Sequence, residues 1–394
     1  MKTAEQMHNS VHFVLATILL VATCAICSTA QQRGYYVMSN DGTVANTATV
    51  LKLDPKSGQL SVSGAFHTGG QGGYENSDGE VTMATSPDGS CIFVADVVSS
   101  DIAAFSRVGR VGRYSSSDLV ADHELVLAEN PSGTILFAGY FGSENLAVWT
   151  INSDCSLSLA NVYPTNGPGG LQNLTVSRDG TVLLGTFGAS YPTSYVDSWA
   201  ISGASLVDNG PVLIEPWGNG VSKIAVTNDD KMVLMSIISN SLIGTDSAII
   251  TANLPGFTNQ QMWVFEQAGA VDLAISQDAA AGKGCVYLAE NGVINGSAEG
   301  QPGIIGINFQ ESPLDLAATS KTHSPDGTSA PRAIQRISNQ GNGGGVYALT
   351  TPAPGYSVEV YSVDANCQTN YVSTTLLPHQ GDVSNLIISW APPQ

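Results

Sequence analysis

Two apolar stretches separated by a polar turn recur along this chain at nearly regular intervals. The clearest copy runs from Val81 through the turn Ser86–Gly89 to Ala95. Further copies surround Gly133 and Gly180, and weaker ones follow near residues 231, 284 and 345. The turn residues Gly89, Gly133, Gly180 and Lys231 succeed one another at intervals of 44, 47 and 51 residues. Self-similarity at this period predicts a repeat architecture, and the short apolar stretches predict that each unit is built from strands.

The number of units predicts the fold. Each has room for four antiparallel strands, which form one blade of a β-propeller. Six complete units begin near residues 80, 122, 171, 221, 270 and 331. The chain ends supply a seventh, because the N-terminal unit lacks its first strand and the stretch 383–390 looks like a first strand with nothing after it. We predict an all-β, seven-bladed propeller of four-stranded antiparallel blades, whose ring is closed when strand 383–390 joins the N-terminal blade.

The charge balance limits the possible partners. The chain has 14 Lys and Arg residues against 33 Asp and Glu residues, which gives a formal charge of −19. Nucleic acids and anionic membranes attract proteins that carry clustered cations, and this sequence has no such cluster. We therefore expect no nucleic-acid partner and no membrane attachment after export, and we expect the protein to be a monomer.

The N-terminus predicts export. Lys2 gives a weakly basic start, the apolar run 11–26 follows, and Ser28–Ala30 has the small residues of a cleavage site. We predict a signal peptide over residues 1–30 and a propeller domain over residues 31–394. The mature protein is then secreted or periplasmic.

The mature sequence resembles the lactonase-like seven-bladed propellers, a family that includes propeller-type 6-phosphogluconolactonase and the fungal carboxymuconate-cyclising enzymes. The stretches behind the resemblance are Tyr36–Asn40, Leu53–Asp54, Gly58–Leu60, Thr68–Gly72, Ser86–Gly89 and Phe93–Ala95. They are more specific for the fold than for the activity, because one fold hosts many functions. The resemblance implies a His, Arg and Glu cluster at the central channel, and no cofactor or metal.

Two motifs of this chain fit such a cluster, and one departs from it. Asp122–Glu124 offers one histidine where the family often has two, and Pro331–Arg332 keeps its arginine. The stretch Gly220–Lys223 stands where an Arg-His pair could have been. The histidines of the mature chain form no HxH or HExxH motif, so the sequence predicts no zinc site.

Propeller geometry brings the start of every inner strand to one mouth of the channel. The residues predicted there are Glu80, His123, Gln172, Lys223, Asp272, Arg332 and Asp382. We predict His123 as a general base on water and Arg332 as an anion clamp, with Glu80 or Glu215 orienting them. The predicted function is hydrolysis or cyclisation of a small anionic sugar-acid lactone.

A non-catalytic propeller is the alternative, because the His and Arg cluster is depleted. Such a protein would bind an anionic or sugar-like ligand, or a protein partner, through its longer loops. The candidate loops are Gly69–Gly79, Gly188–Tyr195, Ser239–Thr258 and Gly292–Gly303. The glycine-rich start of the first loop fits either a flexible connector or a ligand-binding loop.

Four cysteines, Cys91, Cys155, Cys285 and Cys367, remain outside the predicted signal peptide and allow three pairings. Cys91 and Cys285 begin second strands of their units, and Cys155 and Cys367 lie in turns before fourth strands. Pairing like with like would cross the propeller, far beyond the roughly 7 Å that a disulfide allows between Cα atoms. We predict the disulfides Cys91–Cys155 and Cys285–Cys367, each joining adjacent blades.

Overall fold

Seven antiparallel sheets form the part of the chain that the computed structural model describes. The described residues are 36–54, 57–73, 81–187, 194–214, 220–237, 246–267, 269–278, 282–290, 301–327, 329–336, 345–351, 356–378 and 385–389. The predicted signal peptide, residues 1–30, lies outside these ranges. The fold is the predicted seven-bladed propeller, and the strands of each blade are called A to D from the channel outward.

The first four blades contain the following strands. Blade 1 has β1 (Tyr36–Asn40), β2 (Thr47–Leu53) and β3 (Leu60–His67). Blade 2 has β4 (Met83–Thr85), β5 (Cys91–Asp96), β6 (Asp101–Ser106) and β7 (Gly109–Tyr114). Blade 3 has β8 (Leu125–Glu129), β9 (Ile135–Tyr140), β10 (Asn145–Ile151) and β11 (Leu157–Pro164). Blade 4 has β12 (Leu171–Val176), β13 (Val182–Phe187), β14 (Ser194–Ser202), β15 (Ser205–Asp208) and β16 (Val212–Ile214).

The last three blades complete the set. Blade 5 has β17 (Val221–Val226), β18 (Met232–Ile237), β19 (Asp246–Asn253) and β20 (Thr258–Gln267). Blade 6 has β21 (Ala270–Asp278), β22 (Lys283–Glu290), β23 (Gly303–Glu311) and β24 (Leu314–His323). Blade 7 has β25 (Ala330–Arg336), β26 (Gly345–Thr351), β27 (Ser357–Val363) and β28 (Thr369–Leu376). The C-terminal strand β29 (Asn385–Ser389) pairs with β1 and gives blade 1 its A strand, as the sequence predicts.

Blade 4 departs from the predicted four strands. Its outer edge is split, because β15 pairs with the end of β14 and β16 pairs with the beginning of β14. The break falls at Gly210, whose φ of 87° suits glycine and whose N–H donates to Asp208 Oδ1 at 2.6 Å. The sequence motif of a strand does not reveal such an interruption.

The turn between strands A and B explains the recurring sequence pattern. In blade 2 the Ser86 hydroxyl accepts a hydrogen bond from the N–H of Cys91, the first residue of strand B, at 2.8 Å. The side chains of Asn130, Ser177 and Thr227 accept the same bond in blades 3, 4 and 5. Gly89 adopts a φ of 66° that favours glycine. The repeated residues therefore fix the turn that starts each B strand.

The hydrophobic core lies between the blades. The buried apolar side chains of the described residues form seven clusters, and each draws on two neighbouring blades. One cluster packs Val37 and Leu51 of blade 1 against Leu349 of blade 7, and another packs Met38 of blade 1 against Met83 of blade 2. Each blade therefore buries apolar side chains on both faces of its sheet.

Two disulfides cross seams between blades with the same geometry. Cys91 at the start of β5 bonds to Cys155 in the turn after β10, with 5.4 Å between their Cα atoms. Cys285 in β22 bonds to Cys367 in the turn after β27, with 5.3 Å between their Cα atoms. Both pairings are those predicted from the sequence, and they join blade 2 to blade 3 and blade 6 to blade 7.

Replacing Cys91 and Cys155 together by Ser should lower the free energy of unfolding by about 4 kcal/mol, because the unfolded chain regains the freedom of a long loop. The disulfide spans 64 residues, and Cys285–Cys367 spans 82. Urea denaturation of the double variant beside wild type measures the loss. The Cys285→Ser/Cys367→Ser variant is the matched control and should lose a similar amount. An unchanged urea midpoint in both variants would contradict this prediction.

Candidate functional site

The A strands begin at one end of the central channel, which we call the mouth. Each A strand contacts the A strand of the next blade along the chain, and β29 lies between β25 and β4. In an antiparallel blade, the loops entering strand A and the turns between strands B and C share this end. Side chains from all blades can therefore meet at the mouth.

His123 lies at the mouth in a tight turn that leads into β8. The N–H groups of His123 and Glu124 both donate to the carbonyl of Ala121, at 2.8 and 3.3 Å, and Asp122 has a φ of 59°. The His123 side chain is 59% exposed, and its Nε2 is 3.8 Å from Asp122 Oδ2. Its ring meets the Phe141 ring edge to face, with the centroids 6.0 Å apart. The imidazole is therefore held in place and open to solvent.

Two glycines make room for this turn. A Cβ on Gly142 would lie 2.5 Å from the Cβ of Asp122, too close for real atoms. The Gly142 N–H also donates to Ala121 at 2.8 Å. A Cβ on Gly170 of blade 4 would lie 2.3 Å from the Cα of Phe141. Glycine is therefore required at both positions, because Gly142 packs against Asp122 and Gly170 packs against Phe141, whose ring contacts His123.

Glu124, which the sequence reasoning missed as a site residue, connects blades 3 and 4. Its Oε1 accepts a hydrogen bond from Gln172 Nε2 at 3.1 Å, and its carbonyl accepts the Phe141 N–H at 3.1 Å. A signal for it was present, since Glu80 and Glu124 each lie nine residues before a turn glycine. Glu124, not His123, is therefore the counterpart of Glu80 by this count.

The predicted mouth residues occupy two kinds of position at the start of strand A. Blades 4 to 7 share a β-bulge at the start of strand A. Gln172 and Arg332 are the bulged residues, whereas Lys223 and Asp272 follow the bulge and pair directly with strand B. The bulged residues of blades 5 and 6 are Ser222 and Val271. Lys223 and Asp272 therefore lie one residue further along strand A than Gln172 and Arg332 do in their own blades.

Asp272 joins blade 6 to blade 7. It is 1% exposed, and its carboxylate accepts the N–H groups of Leu273 at 2.7 Å and of Ile334 in blade 7 at 2.8 Å. Lys223 Nζ of blade 5 lies 3.9 Å from its Oδ1. Burial raises the pKa of Asp272 to about 6, although the Lys223 cation opposes the shift. These contacts show that both residues stabilise the blade seams.

The other predicted residues divide into two groups. Arg332 is half-buried in the bulge of β25, on blade 7, whereas His123 precedes the A strand of blade 3. They therefore approach the mouth from well-separated blades. Glu80, Glu215 and Asp382 lie outside the described residues, so their predicted roles stay predictions.

The start of the glycine-rich loop is fixed between blades 1 and 2. The carbonyl of Gly70 accepts the Asn46 N–H at 3.1 Å, and the Gly72 N–H donates to the Thr43 carbonyl at 3.0 Å. The Gln71 carbonyl accepts the Val98 N–H at 3.1 Å. Residues 69–73 are thus a hydrogen-bonded connector, and residues 74–79 lie outside the described part.

Three further observations concern metal ligands, membrane helices and a glycosylation motif. Among the described residues, no group of three or more His, Cys, Asp or Glu side chains is arranged to hold a metal ion. Within the same residues, no helix is long and apolar enough to cross a membrane. Asn173, which begins a glycosylation sequon, is fully buried, and its amide donates to the Ser222 carbonyl at 3.1 Å.

Solved structures of lactonase-named propellers share this fold. A Bacteroides fragilis protein provisionally named a 6-phosphogluconolactonase gives a TM-score of 0.65 at 13% identity, over 91% of this chain and 99% of that one. The periplasmic gluconolactonase of Pseudomonas aeruginosa gives a TM-score of 0.60 at 15% identity, over 91% of this chain and 100% of that one. This chain has the fold of the lactonase-type propellers.

A protein named for a different function has the same fold. A hypothetical selenium-binding protein from Sulfolobus tokodaii gives a TM-score of 0.65 at 10% identity, over 92% of this chain and 94% of that one. No protein-family model matches the chain, and no curated protein matches it. The shared fold therefore leaves the reaction to be argued from the residues at the mouth.

Replacing Asp272 by Ala should lower the free energy of unfolding by roughly 3 kcal/mol, because it removes the acceptor of a buried N–H and the anion nearest Lys223. Asp272→Asn keeps an acceptor and should lose less. Urea denaturation at pH 7 compares the three proteins. Full stability in the Ala variant would show that Asp272 does not hold the seam.

Proposed function

We propose that this protein is an exported hydrolase that opens a small anionic sugar-acid lactone at the mouth of its channel. The observation that carries the proposal is the exposed His123 imidazole, held by Asp122 and Phe141 at the same end of the channel as Arg332. Two propellers of the same fold bear lactonase names, which supports this reaction class over others.

The proposed chemistry needs a base and a cation. His123 takes a proton from water as the water oxygen bonds to the lactone carbonyl carbon. The Arg332 guanidinium stabilises the negative charge on the carbonyl oxygen. The ring C–O bond then breaks, and the protonated imidazole returns its proton to the leaving oxygen. Glu80 or Glu215 would orient these groups, as the sequence predicts.

The charge of the chain favours a substrate that is drawn to a local cation. With a net charge of −19, the protein repels anions except where arginine or lysine is presented. Arg332 provides such a cation at the mouth. A lactone carrying a carboxylate or phosphate would therefore be bound there in preference to elsewhere on the surface.

The two disulfides favour an oxidising compartment, where such bonds form and persist. This agrees with the predicted signal peptide over residues 1–30. We place the mature protein outside the cytoplasm, either secreted or in a periplasm.

A panel of lactones tests the proposal: glucono-δ-lactone, its 6-phosphate and a carboxylated γ-lactone, each followed by acid release at constant pH. Wild type should hydrolyse at least one. His123→Ala should lower kcat by about 100-fold or more, because it removes the base. Arg332→Ala should lower kcat/KM most for the anionic lactones.

The chain offers matched controls outside the proposed catalytic residues. His67→Ala removes an exposed histidine at the end of an outer strand, and Arg107→Ala removes an exposed arginine from a turn at the opposite end of blade 2. Both should keep wild-type rates. Absence of hydrolysis by wild type, or equal rates in the mouth variants and their controls, would overturn the proposal.

A further inference from the structure

Four carboxyl groups of this propeller have buried oxygens and lie near enough to a second carboxyl group to be repelled by its negative charge. The pairs are Asp96 with Asp101, Glu129 with Asp88, Asp197 with Asp208, and Glu359 with Asp326. They are spread over blades 2, 3, 4, 6 and 7. A carboxylate whose oxygens are buried can be ionised only at a large cost, and a second negative charge nearby adds to that cost.

For two of these buried carboxyl groups, the equivalent position in the other blades shows which residue the fold usually places there. Asp197 and Glu359 occupy the same C-strand position in blades 4 and 7, because each pairs with the equivalent residue of strand B. Four other blades place Ala103, Ala147, Ile250 and Ile305 there, blade 1 places Thr49, and all five are buried. No other blade places an ionisable residue at this buried position, and Asp197 and Glu359 are themselves at most 1% exposed.

Asp197 has few hydrogen-bond donors to stabilise a buried negative charge. Its Oδ1 accepts the Ser198 N–H at 2.6 Å, and its Oδ2 is buried with no hydrogen-bond partner among the described residues. The group that faces it is Asp208 of β15, whose carboxylate is already bonded by Asn166 and by the Gly210 N–H. The proton shared by this pair therefore belongs on Asp197.

Glu359 is surrounded by hydroxyl groups. The Ser324 hydroxyl lies 2.5 Å from its Oε1, and the Tyr361 hydroxyl lies 2.5 Å from its Oε2. The Ser324 Oγ also lies 3.1 Å from Asp326 Oδ1, so this one hydroxyl bridges the two carboxyl groups, and Asp326 is the negative charge nearest Glu359 in the chain segment between blades 6 and 7. Hydroxyls can accept as well as donate, so this site accommodates a protonated carboxyl.

Glu129 ends strand A of blade 3, where blades 4 and 5 have Val176 and Val226. Both of its carboxyl oxygens are buried, and neither has a hydrogen-bond partner among the described residues. Asp88 of blade 2 is the charged group facing it. Hydrogen bonds from Ser90 lower the pKa of Asp88 to about 2, so Asp88 stays ionised and Glu129 takes the proton.

A cation, the Arg113 guanidinium, lies near Asp96 but is hydrogen-bonded to Asp101. Arg113 donates to both carboxylate oxygens of Asp101. Asp96 receives hydrogen bonds from Asn46 and Thr68 on Oδ1, at 2.8 and 2.7 Å. Its Oδ2 is buried with no hydrogen-bond partner among the described residues. Arg113 therefore compensates Asp101 first, and Asp96 is left as the acid that protonates.

We propose that Asp96, Glu129, Asp197 and Glu359 are held as neutral acids, and that their ionisation loosens the blades, so that the propeller is most stable in an acidic medium. This inference does not depend on the proposed reaction. It assigns the carboxyl pairs a role in matching the fold to an acidic compartment.

The direction of the pH effect follows from linkage. Burial raises the pKa of Asp96 and of Asp197 to about 7 and that of Glu129 to about 8, and it raises the pKa of Glu359 as well. The folded state then binds more protons than the unfolded state between roughly pH 4 and pH 8. The stability gained from keeping these four groups protonated is fully present below about pH 4. It is lost as the pH rises through their pKa values in the folded protein.

The melting temperature of the full mature protein between pH 4 and pH 9, at constant ionic strength, tests the proposal. Wild type should melt at progressively lower temperature from pH 5 to pH 8.5. The isosteric variants Asp197→Asn, Glu359→Gln and Glu129→Gln should each melt about 2 °C or more higher than wild type at pH 8.5, and close to wild type at pH 4.5.

Asp315→Asn is the matched control, because it removes one negative charge from an exposed position of β24. It should leave the pH profile parallel to that of wild type. A wild-type melting temperature that stays level or rises from pH 5 to pH 8.5 would overturn the proposal. Equal destabilisation of the three amide variants at both pH values would do so too, since it would show that the carboxyls only fill space.

Discussion

The burial of both faces of every blade is the constraint on which the rest of this structure depends. The B strands of blades 2 and 3, Cys91–Asp96 and Ile135–Tyr140, are buried along their whole length. A sheet of this kind needs a neighbour on each side, so no blade can stand at an end of a stack. Seven seams with seven apolar clusters meet this requirement.

The innermost strands carry a second consequence of this constraint, because their channel-facing edges have polar groups that no fifth strand covers. Neighbouring blades satisfy some of these groups. The Leu127 N–H donates to the Val81 carbonyl at 2.7 Å between blades 3 and 2, while Asp272 performs the same task for Ile334 between blades 6 and 7. Charged residues in a propeller channel can therefore be structural, and their sequence position alone does not mark them as functional.

The turn pattern and the two incomplete chain ends were sufficient to predict the blade count, the pairing of the last strand with the first, and both disulfides. They were insufficient for the site. The bulges in blades 4 to 7 add one residue at the start of strand A, so Lys223 and Asp272 pair with strand B whereas Gln172 and Arg332 are the bulged residues. A bulge changes backbone pairing without a distinct residue signature, so counting along the sequence could not locate it. The partnership of Glu124 with Gln172 depends on contact between blades and was equally invisible.

Because the blades share the same strand arrangement, a residue at one position can be compared across blades. The comparison distinguishes two kinds of residue that depart from the shared pattern. Asp197, Glu359 and Asp272 break the pattern inside seams, where their oxygens contact backbone N–H groups or hydroxyls and solvent is excluded. His123 breaks it at the mouth, where its ring is exposed and contacts the Phe141 ring. A buried polar group must be satisfied within the protein, whereas an exposed imidazole on a braced turn can exchange protons with a ligand. In our proposals, the buried carboxyl groups set the pH range in which the propeller is stable, and the exposed imidazole is the base that acts on the substrate.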